Sequence, residues 1–362
     1  DRMGDYLNPG NEKFRRMIQS EIYVDKTGMI KYTNSVLDTA QNYVCVSRPR
    51  RFGKSMAANM LTAYYSRGCN SKELFGKFEI AKDKDFEKYL NQYNTIFLNM
   101  QEFLSRSHNV EELIDRVKKL VIRDLKMEYP EVDYFDDTDL IECMQDIYAQ
   151  MQYPFVVIID EWDCIFREYK QDKEAQEKYL DFLRDLLKDK ACIYLSYMTG
   201  ILPIKKYGTH SALNMFDEFS MIAPGPLACY VGFTEQEVKK LCEQYGMDME
   251  EVKNWYDGYF TASGKRLYNP RSVVMALRFN QLSNYWTSSG PYDEIFYYIR
   301  NDIDHIKNDL ALMITGEGVD AKIDEFAASA MELKSRDQIY SAMVVYGLLT
   351  YSGGKVFIPN RE

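Results

Sequence analysis

Four apolar runs punctuate the first 200 residues: 43–47, 95–100 (Thr-Ile-Phe-Leu-Asn-Met), 155–159 (Phe-Val-Val-Ile-Ile) and 192–198 (Cys-Ile-Tyr-Leu-Ser-Tyr-Met). Each is short and rich in β-branched or aromatic residues, as a buried strand requires. Between them the apolar positions shift to helical spacing over 54–66, 110–127, 138–151 and 174–188. In the first of these, Met56, Met60, Leu61 and Tyr64 are spaced to share one buried face. Continuous apolar strands alternating with helices predict an α/β fold with a parallel sheet covered by helices on both faces. The segment 128–139 is acidic and is expected to be a surface loop.

Pro224-Gly225-Pro226 breaks this alternation, and the chain is expected to divide there into 1–224 and 225–362. Beyond it, Thr234-Glu235-Gln236-Glu237 has the spacing of a capping box at a helix start. Short helices are expected to continue to about residue 350. A helical stretch at 337–348 and two strands around Gly353-Gly354 predict a helix followed by a hairpin, a winged-helix-like ending.

The first apolar run leads into Ser47-Arg48-Pro49-Arg50-Arg51-Phe52-Gly53-Lys54-Ser55. A strand feeding a loop that ends Gly-Lys-Ser and opens a helix is the arrangement of a phosphate-binding loop. Glycine lets backbone N–H groups approach phosphate, lysine reaches the β- and γ-phosphates, and the serine hydroxyl helps hold Mg²⁺. The helix N-terminus adds its positive dipole end. Arg48 occupies the place of the usual first glycine. The alternative is a basic strand-to-helix turn without a ligand.

The third run ends in Asp160-Glu161, an apolar strand followed by two carboxylates. There Asp160 can share Mg²⁺ with Ser55, and Glu161 can orient the attacking water. The next strand ends at Thr199, which can sense the γ-phosphate or simply close a buried strand. A strand between the two motifs in sequence, and another after the second, fits the additional-strand class of P-loop NTPases.

Charge sharpens the picture. The chain of 362 residues carries a formal net charge of −10, which excludes a wholesale basic surface for nucleic acid. Yet within 47–55 four of nine residues are cationic and none is acidic, a local inversion that suits an anion site. No apolar run reaches 18 residues, so no membrane span is expected. Seven cysteines without a CxxC pair are expected to be reduced, mostly buried thiols of a cytoplasmic protein. His108, His210 and His305 are too scattered for a zinc site, and His210 has no hydrolytic partner set around it. Met3 is the expected natural start, with Asp1 and Arg2 before it.

Further words extend these motifs: Tyr23-Val24-Asp25-Lys26-Thr27, Asp160-Glu161-Trp162-Asp163, Tyr230-Val231-Gly232-Phe233-Thr234, Trp255-Tyr256-Asp257-Gly258-Tyr259, Tyr268-Asn269-Pro270, Tyr285-Trp286-Thr287-Ser288-Ser289-Gly290 and Ile358-Pro359-Asn360. In them the chain resembles the bacterial AAA-ATPase-like family, whose members often carry a PD-(D/E)XK-type nuclease domain at the C-terminus. The resemblance covers nearly the whole chain in order. It implies that Arg48 in the loop is tolerated, and that Trp162 stands where tyrosine is more usual. It implies a role in nucleic-acid processing or defence, with nucleic acid an indirect partner and a nuclease domain or another protein the direct one. Family members usually continue past Ile358-Pro359-Asn360, where this chain reaches Glu362. An ATPase module separated from its nuclease, or a natural short form, is therefore expected. Glu332-Leu333-Lys334 lacks the preceding strand and aspartate of a nuclease site and reads as a solvated helix face.

The expected site is thus a loop of Arg48, Pro49, Arg50, Arg51, Phe52, Gly53, Lys54, Ser55 and Met56 around ATP, with Mg²⁺ on Ser55 and Asp160. Lys54, Glu161 and Thr199 would do the chemistry. Arg48, Arg50 and Arg51 could clamp phosphate, act across a subunit interface in an oligomer, or pair with Asp160 or Asp163. Tyr23 to Thr27 could touch the adenine or only pack on the sheet. The Trp255–Tyr259 cluster could stack a base or belong to the core, in a C-terminal region acting as lid or relay. A nucleotide-gated switch or interaction scaffold with little hydrolysis is the alternative to an active ATPase.

Overall fold

Asp160 closes a strand buried at all six positions, β3 (Phe155–Asp160). In this computed structural model, which describes residues 4–204, 212–285, 303–324 and 335–360, β3 is flanked on both sides. It pairs in parallel with β2 (Asn94–Asn99) and with β4 (Ile193–Gly200). With β1 (Tyr43–Ser47) and β5 (Asp217–Phe219) these strands form one sheet in the order β2-β3-β4-β1-β5. The strand set between β1 and β3 in space is β4, while β2 lies at the sheet's edge. That inserted strand defines the additional-strand class, and the fold is a P-loop NTPase α/β fold. β5 escapes the sequence pattern because it is three residues long and two of them are carboxylates.

Helices flank the strands in sequence at the expected places. Val110–Glu128 buries Val110, Leu113, Val117, Val121, Ile122 and Leu125, at the three- and four-residue spacing of one helical face. Asn109 caps it by accepting from the Glu112 N–H. Two helices before β1, α1 (Glu12–Ile18) and α2 (Met29–Val36), were not expected from the pattern. The helix after the basic loop, α3 (Lys54–Tyr65), buries Met60, Leu61 and Tyr64 as expected, but Met56 is 43% exposed. Met56 falls in the first turn, and Ala57 and Ala58 take the buried positions instead.

The chain forms two units, each assembled from separate stretches. One comprises Asp1–Val46, Ser55–Gly200 and Tyr207–Glu218; the other comprises Ser47–Lys54, Ile201–Lys206 and Phe219–Glu362. In the second, the Thr234 hydroxyl and the Glu237 carboxylate close the expected capping box on the helix Glu235–Tyr245. The expectation of continuous short helices needs correction. A small antiparallel sheet of β6 (Phe233–Thr234), β7 (Tyr259–Phe260) and β8 (Arg266–Tyr268) intervenes, in the order β6-β8-β7. Strands of two or three residues are too short to show a two-residue period.

The ending follows the sequence closely. The helices Ile303–Ile314 and Arg336–Val345 are accompanied by β9 (Val319–Asp320), β10 (Thr350–Ser352) and β11 (Lys355–Phe357), and β11 pairs with both other strands. β10 and β11 form the expected hairpin around Gly353-Gly354. This is a winged-helix-like arrangement, although the helix Arg336–Val345 is buried continuously from Ile339 to Val345. Trp286 to Gly290, Glu332-Leu333-Lys334 and His210 lie outside the described residues.

Candidate nucleotide-binding site

The loop 47–54 belongs to the second unit. Its backbone enters the left-handed region at Arg51 (φ +71°) and at Gly53 (φ +92°). Open space surrounds a Cβ position at Gly53, so the torsion alone favours glycine there. The Lys54 ammonium folds over the loop and donates to Arg48 O and Pro49 O, both at 2.7 Å. Two bonds to main-chain carbonyls hold the lysine head against the loop.

Arg48 is only 1% exposed. Its Nη1 donates to Ser47 O at 2.8 Å and to Phe219 O at 2.6 Å, and its Nε donates to Val231 O at 3.4 Å. The guanidinium thus holds main-chain carbonyls. Phe52 is fully buried, edge-on to Tyr259 with centroids 5.2 Å apart. Arg50 and Arg51 are half-buried.

The first unit carries the carboxylates. Parallel register aligns Asn99, Asp160 and Thr199 in one row at the carboxyl ends of β2, β3 and β4. Ser55, in the first turn of α3, donates from Oγ to Asp160 Oδ2 at 2.6 Å. The other carboxylate oxygen accepts from the Glu161 N–H at 3.0 Å. A hydroxyl beside a buried carboxylate is a donor set that suits a hard divalent cation, which takes its other ligands from phosphates and water. Among the described residues no group of three His, Cys, Asp or Glu could hold a metal by itself. The pair thus offers a divalent cation two oxygen ligands, with the rest to come from outside the chain.

The turn after β3 is held tightly. Glu161 has φ +51°, a left-handed torsion that costs a non-glycine residue about 1–2 kcal/mol. The Trp162 N–H donates to Thr199 O at 3.1 Å, and the buried Tyr179 hydroxyl donates to Trp162 O. Gly200 leaves room for this turn: a methyl there would lie 2.5 Å from Asp163 Oδ1 and 2.8 Å from Trp162 Cδ1. Thr199 is fully buried, and its Oγ1 has no hydrogen-bond partner among the described residues. Such an orphan hydroxyl needs an explanation, and a missing ligand oxygen is one.

Arg167 escaped the sequence reading. Its side chain is 6% exposed, 3.3 Å from Asp163 Oδ2 and 3.8 Å from Glu161 Oε1. The available signal was the four-residue spacing from Asp163, which brings oppositely charged side chains together on a helical turn. Asn99 was missed as well, because its place beside Asp160 is a matter of register. The thiols near this corner offer no nucleophile: burial pushes Cys45 and Cys164 well up, and the charge of Asp163 adds to the effect in both.

Other sequence-noted clusters are structural. Asp25 accepts from the Thr27 N–H and hydroxyl and from the Glu79 N–H, while Tyr23 packs on Phe14 and Phe78. Tyr256 and Tyr259 are buried, and the Asn360 amide donates to Asp257 O.

A family model described as "Predicted AAA-ATPase" matches residues 9–209, more than half of the chain and all of the loop and carboxylate motifs. The chain belongs to the AAA-ATPase-like family. A relative of this AAA-ATPase-like protein is an uncharacterized protein in the vnfD 5′ region of Azotobacter chroococcum mcd 1. The two are 24% identical over 275 residues, 74% of this chain and 50% of that one. The chain thus spans about half the length of that relative. Structures similar to it include the Aeropyrum pernix ORC2 protein in its ADPNP–ADP complexes (TM-score 0.40, 10% identity, 96% and 94% of the two chains). Another is the Aeropyrum pernix ORC1 protein in complex with DNA (TM-score 0.38, 11% identity, 94% and 91%). Likeness at this level is remote.

Proposed function

We propose that this AAA-ATPase-like protein binds ATP with Mg²⁺ and hydrolyses it. The observation that carries the reading is the 2.6 Å bond from Ser55 to Asp160. It joins the hydroxyl that follows the loop lysine to the carboxylate that ends β3, the two groups that hold the metal in P-loop NTPases. In this reading residues 48–56 surround the phosphates, and Lys54 together with backbone N–H groups near Gly53 receives the β- and γ-oxygens. Ser55 and Asp160 would hold Mg²⁺, which when bound neutralises phosphate charge. Glu161 would orient the attacking water, and the buried Thr199 hydroxyl would meet a γ-phosphate oxygen or that water. Catalysis would rest on positioning and charge stabilisation.

We assign the nucleotide chemistry to residues 1–224 and a relay role to residues 225–362. The relay would serve a nuclease domain or protein partner acting on nucleic acid. A second reading is a nucleotide-gated switch with slow turnover. The 3.8 Å approach of Arg167 to Glu161 favours it, because a carboxylate facing a guanidinium is less free to orient a water.

The test is nucleotide affinity and phosphate release for the wild type, Lys54→Ala and Glu161→Gln. Wild type is expected to bind Mg-ATP and turn it over. Lys54→Ala should lose about 100-fold or more in affinity, the effect of losing charge-assisted hydrogen bonds to two phosphates. Glu161→Gln should bind as wild type does while turnover falls about 100-fold or more. Binding without turnover in wild type would move the reading to the switch. No binding at all would end it.

A further inference from the structure

The words that define the second unit in sequence converge on the phosphate loop in space. Arg48 donates to Phe219 O and Val231 O, which lie 171 and 183 residues further along the chain. Phe52 packs edge-on against Tyr259, and a Cβ at Gly232 would sit 3.2 Å from the Phe52 ring. The ring of Pro49 rests on the turn after the helix Arg336–Val345: a methyl on Gly347 would lie 2.7 Å from Pro49 Cβ. The Tyr259 hydroxyl donates to Gly347 O at 3.0 Å, so the two residues touching Phe52 and Pro49 are bonded to each other. Asn269, which caps the helix Pro270–Phe279, reaches towards Arg50 O at 3.5 Å.

These contacts grip the loop on the side chains and carbonyls that Lys54 does not use. Lys54 is placed by Arg48 O and Pro49 O. Those two residues are in turn placed by Phe219, Val231 and Gly347. The second unit's hold on residues 48 and 49 therefore contributes to where the lysine head sits. An anion site gains its affinity from donors held in place before binding, so loosening that hold weakens binding without touching a ligand contact.

We propose that Arg48 and Tyr259 are positioning residues of the nucleotide site, through which the segments at Phe219, Val231, Tyr259 and Gly347 set the affinity of the phosphate loop. Each acts through the loop that its side chain helps to hold, not through a side-chain contact with the nucleotide. By linkage, anything that shifts Phe219, Val231, Tyr259 or Gly347 changes nucleotide affinity, and nucleotide in turn stabilises their grip on the loop.

Two conservative variants test this, Arg48→Lys and Tyr259→Phe. Arg48→Lys keeps the charge and loses the fork that spans two carbonyls. Tyr259→Phe keeps the ring on Phe52 and loses the bond to Gly347. The first readout is amide hydrogen exchange of the nucleotide-free protein. Peptides covering 47–54 are expected to exchange at least about tenfold faster in both variants, while peptides of β3 and β4 keep the wild-type rate. The second readout rests on the nucleotide reading: KM for Mg-ATP should rise about tenfold in Arg48→Lys, with kcat within about twofold of wild type. A variant that merely unfolds would speed exchange in β3 and β4 as well, and that result overturns the proposal. Unchanged loop exchange in both variants overturns it too, as does unchanged KM in a wild-type-active enzyme. If wild type binds no nucleotide, the proposed function is lost, and the exchange of 47–54 alone decides whether the second unit holds the loop.

Discussion

Cys143 and Cys192 lie where burial pushes their thiols up to about 11, with nearby Asp137, Asp146 and Asp139 adding to the effect at Cys143. Burial likewise pushes the Tyr134 phenol up to about 12. The sign of the consequence is fixed by proton binding. A thiol held above its ordinary value of 9.0 keeps its proton more tightly in the folded chain than in the unfolded one. Its contribution to stability is whole below that ordinary value and is lost as pH rises towards the folded value. The midpoint of urea unfolding is therefore expected to be level from about pH 7 to 8.5 and to fall between about pH 9 and 11. The same thiols resist alkylation at pH 8, where a group titrating near 11 is thiolate about once in a thousand. Of the seven cysteines only Cys229 is exposed. Iodoacetamide on the native protein should label Cys229 first, followed by the half-buried Cys69, and the other five only after denaturation. Rapid native labelling of Cys45 or Cys164 would contradict the burial assigned to the carboxylate corner.

The β3–β4 corner shows how strand geometry sets the site. Asp160 and Thr199 are register partners, and the turn between Asp160 and Cys164 fits only because Gly200 has no side chain. Asp163 cannot withdraw freely, since Arg167 holds it at 3.3 Å. Gly200→Ala is therefore expected to cost about 1–3 kcal/mol in urea unfolding, the range for an overpacked interior. It should also reduce phosphate release by displacing Glu161. A neutral outcome in both would mean that the turn is looser than its contacts imply. Much of this corner was legible in the sequence. The four long strands and the helices between them were visible because apolar runs and helical spacing are local properties, as were the Gly53-Lys54-Ser55 loop and the Asp160-Glu161 strand end. What stayed hidden depends on distant pairing. β5 is three residues and two carboxylates, and β6 to β8 are too short for a period. The charge of Arg48 is visible in sequence, whereas its carbonyl partners at Phe219 and Val231 are not. Tyr256 and Tyr259 are buried while Trp255 is half-buried, a difference within the cluster that aromatic spacing does not show.

Net charge and architecture together decide which ligand should dominate the chain's behaviour. At −10 the protein has no field that draws a polyanion to it at large, so duplex DNA must compete for a few local cations. In the winged-helix-like ending, the helix Arg336–Val345 is buried from Ile339 to Val345 and cannot enter a groove as it stands. In the proposed reading a nucleotide calls on the basic loop and on Ser55 and Asp160, none of which depends on a wide basic surface. Thermal unfolding distinguishes the two. A ligand that binds only the folded chain stabilises it by about 2.7 kcal/mol at a hundred times its Kd. Mg-ATP at that level should raise Tm by several degrees in wild type and equally in Glu161→Gln, which alters turnover and not binding. Lys54→Ala should show little shift at the same concentration, because the loop has lost the cation that its own carbonyls hold in place. Arg48→Lys should fall between, in proportion to its weakened grip on the loop. Short duplex DNA at physiological salt should leave Tm unchanged in all four proteins. A DNA-dependent shift that disappears as salt is raised would instead show phosphate contacts by the chain itself, and would turn attention from the loop to the hairpin of β10 and β11.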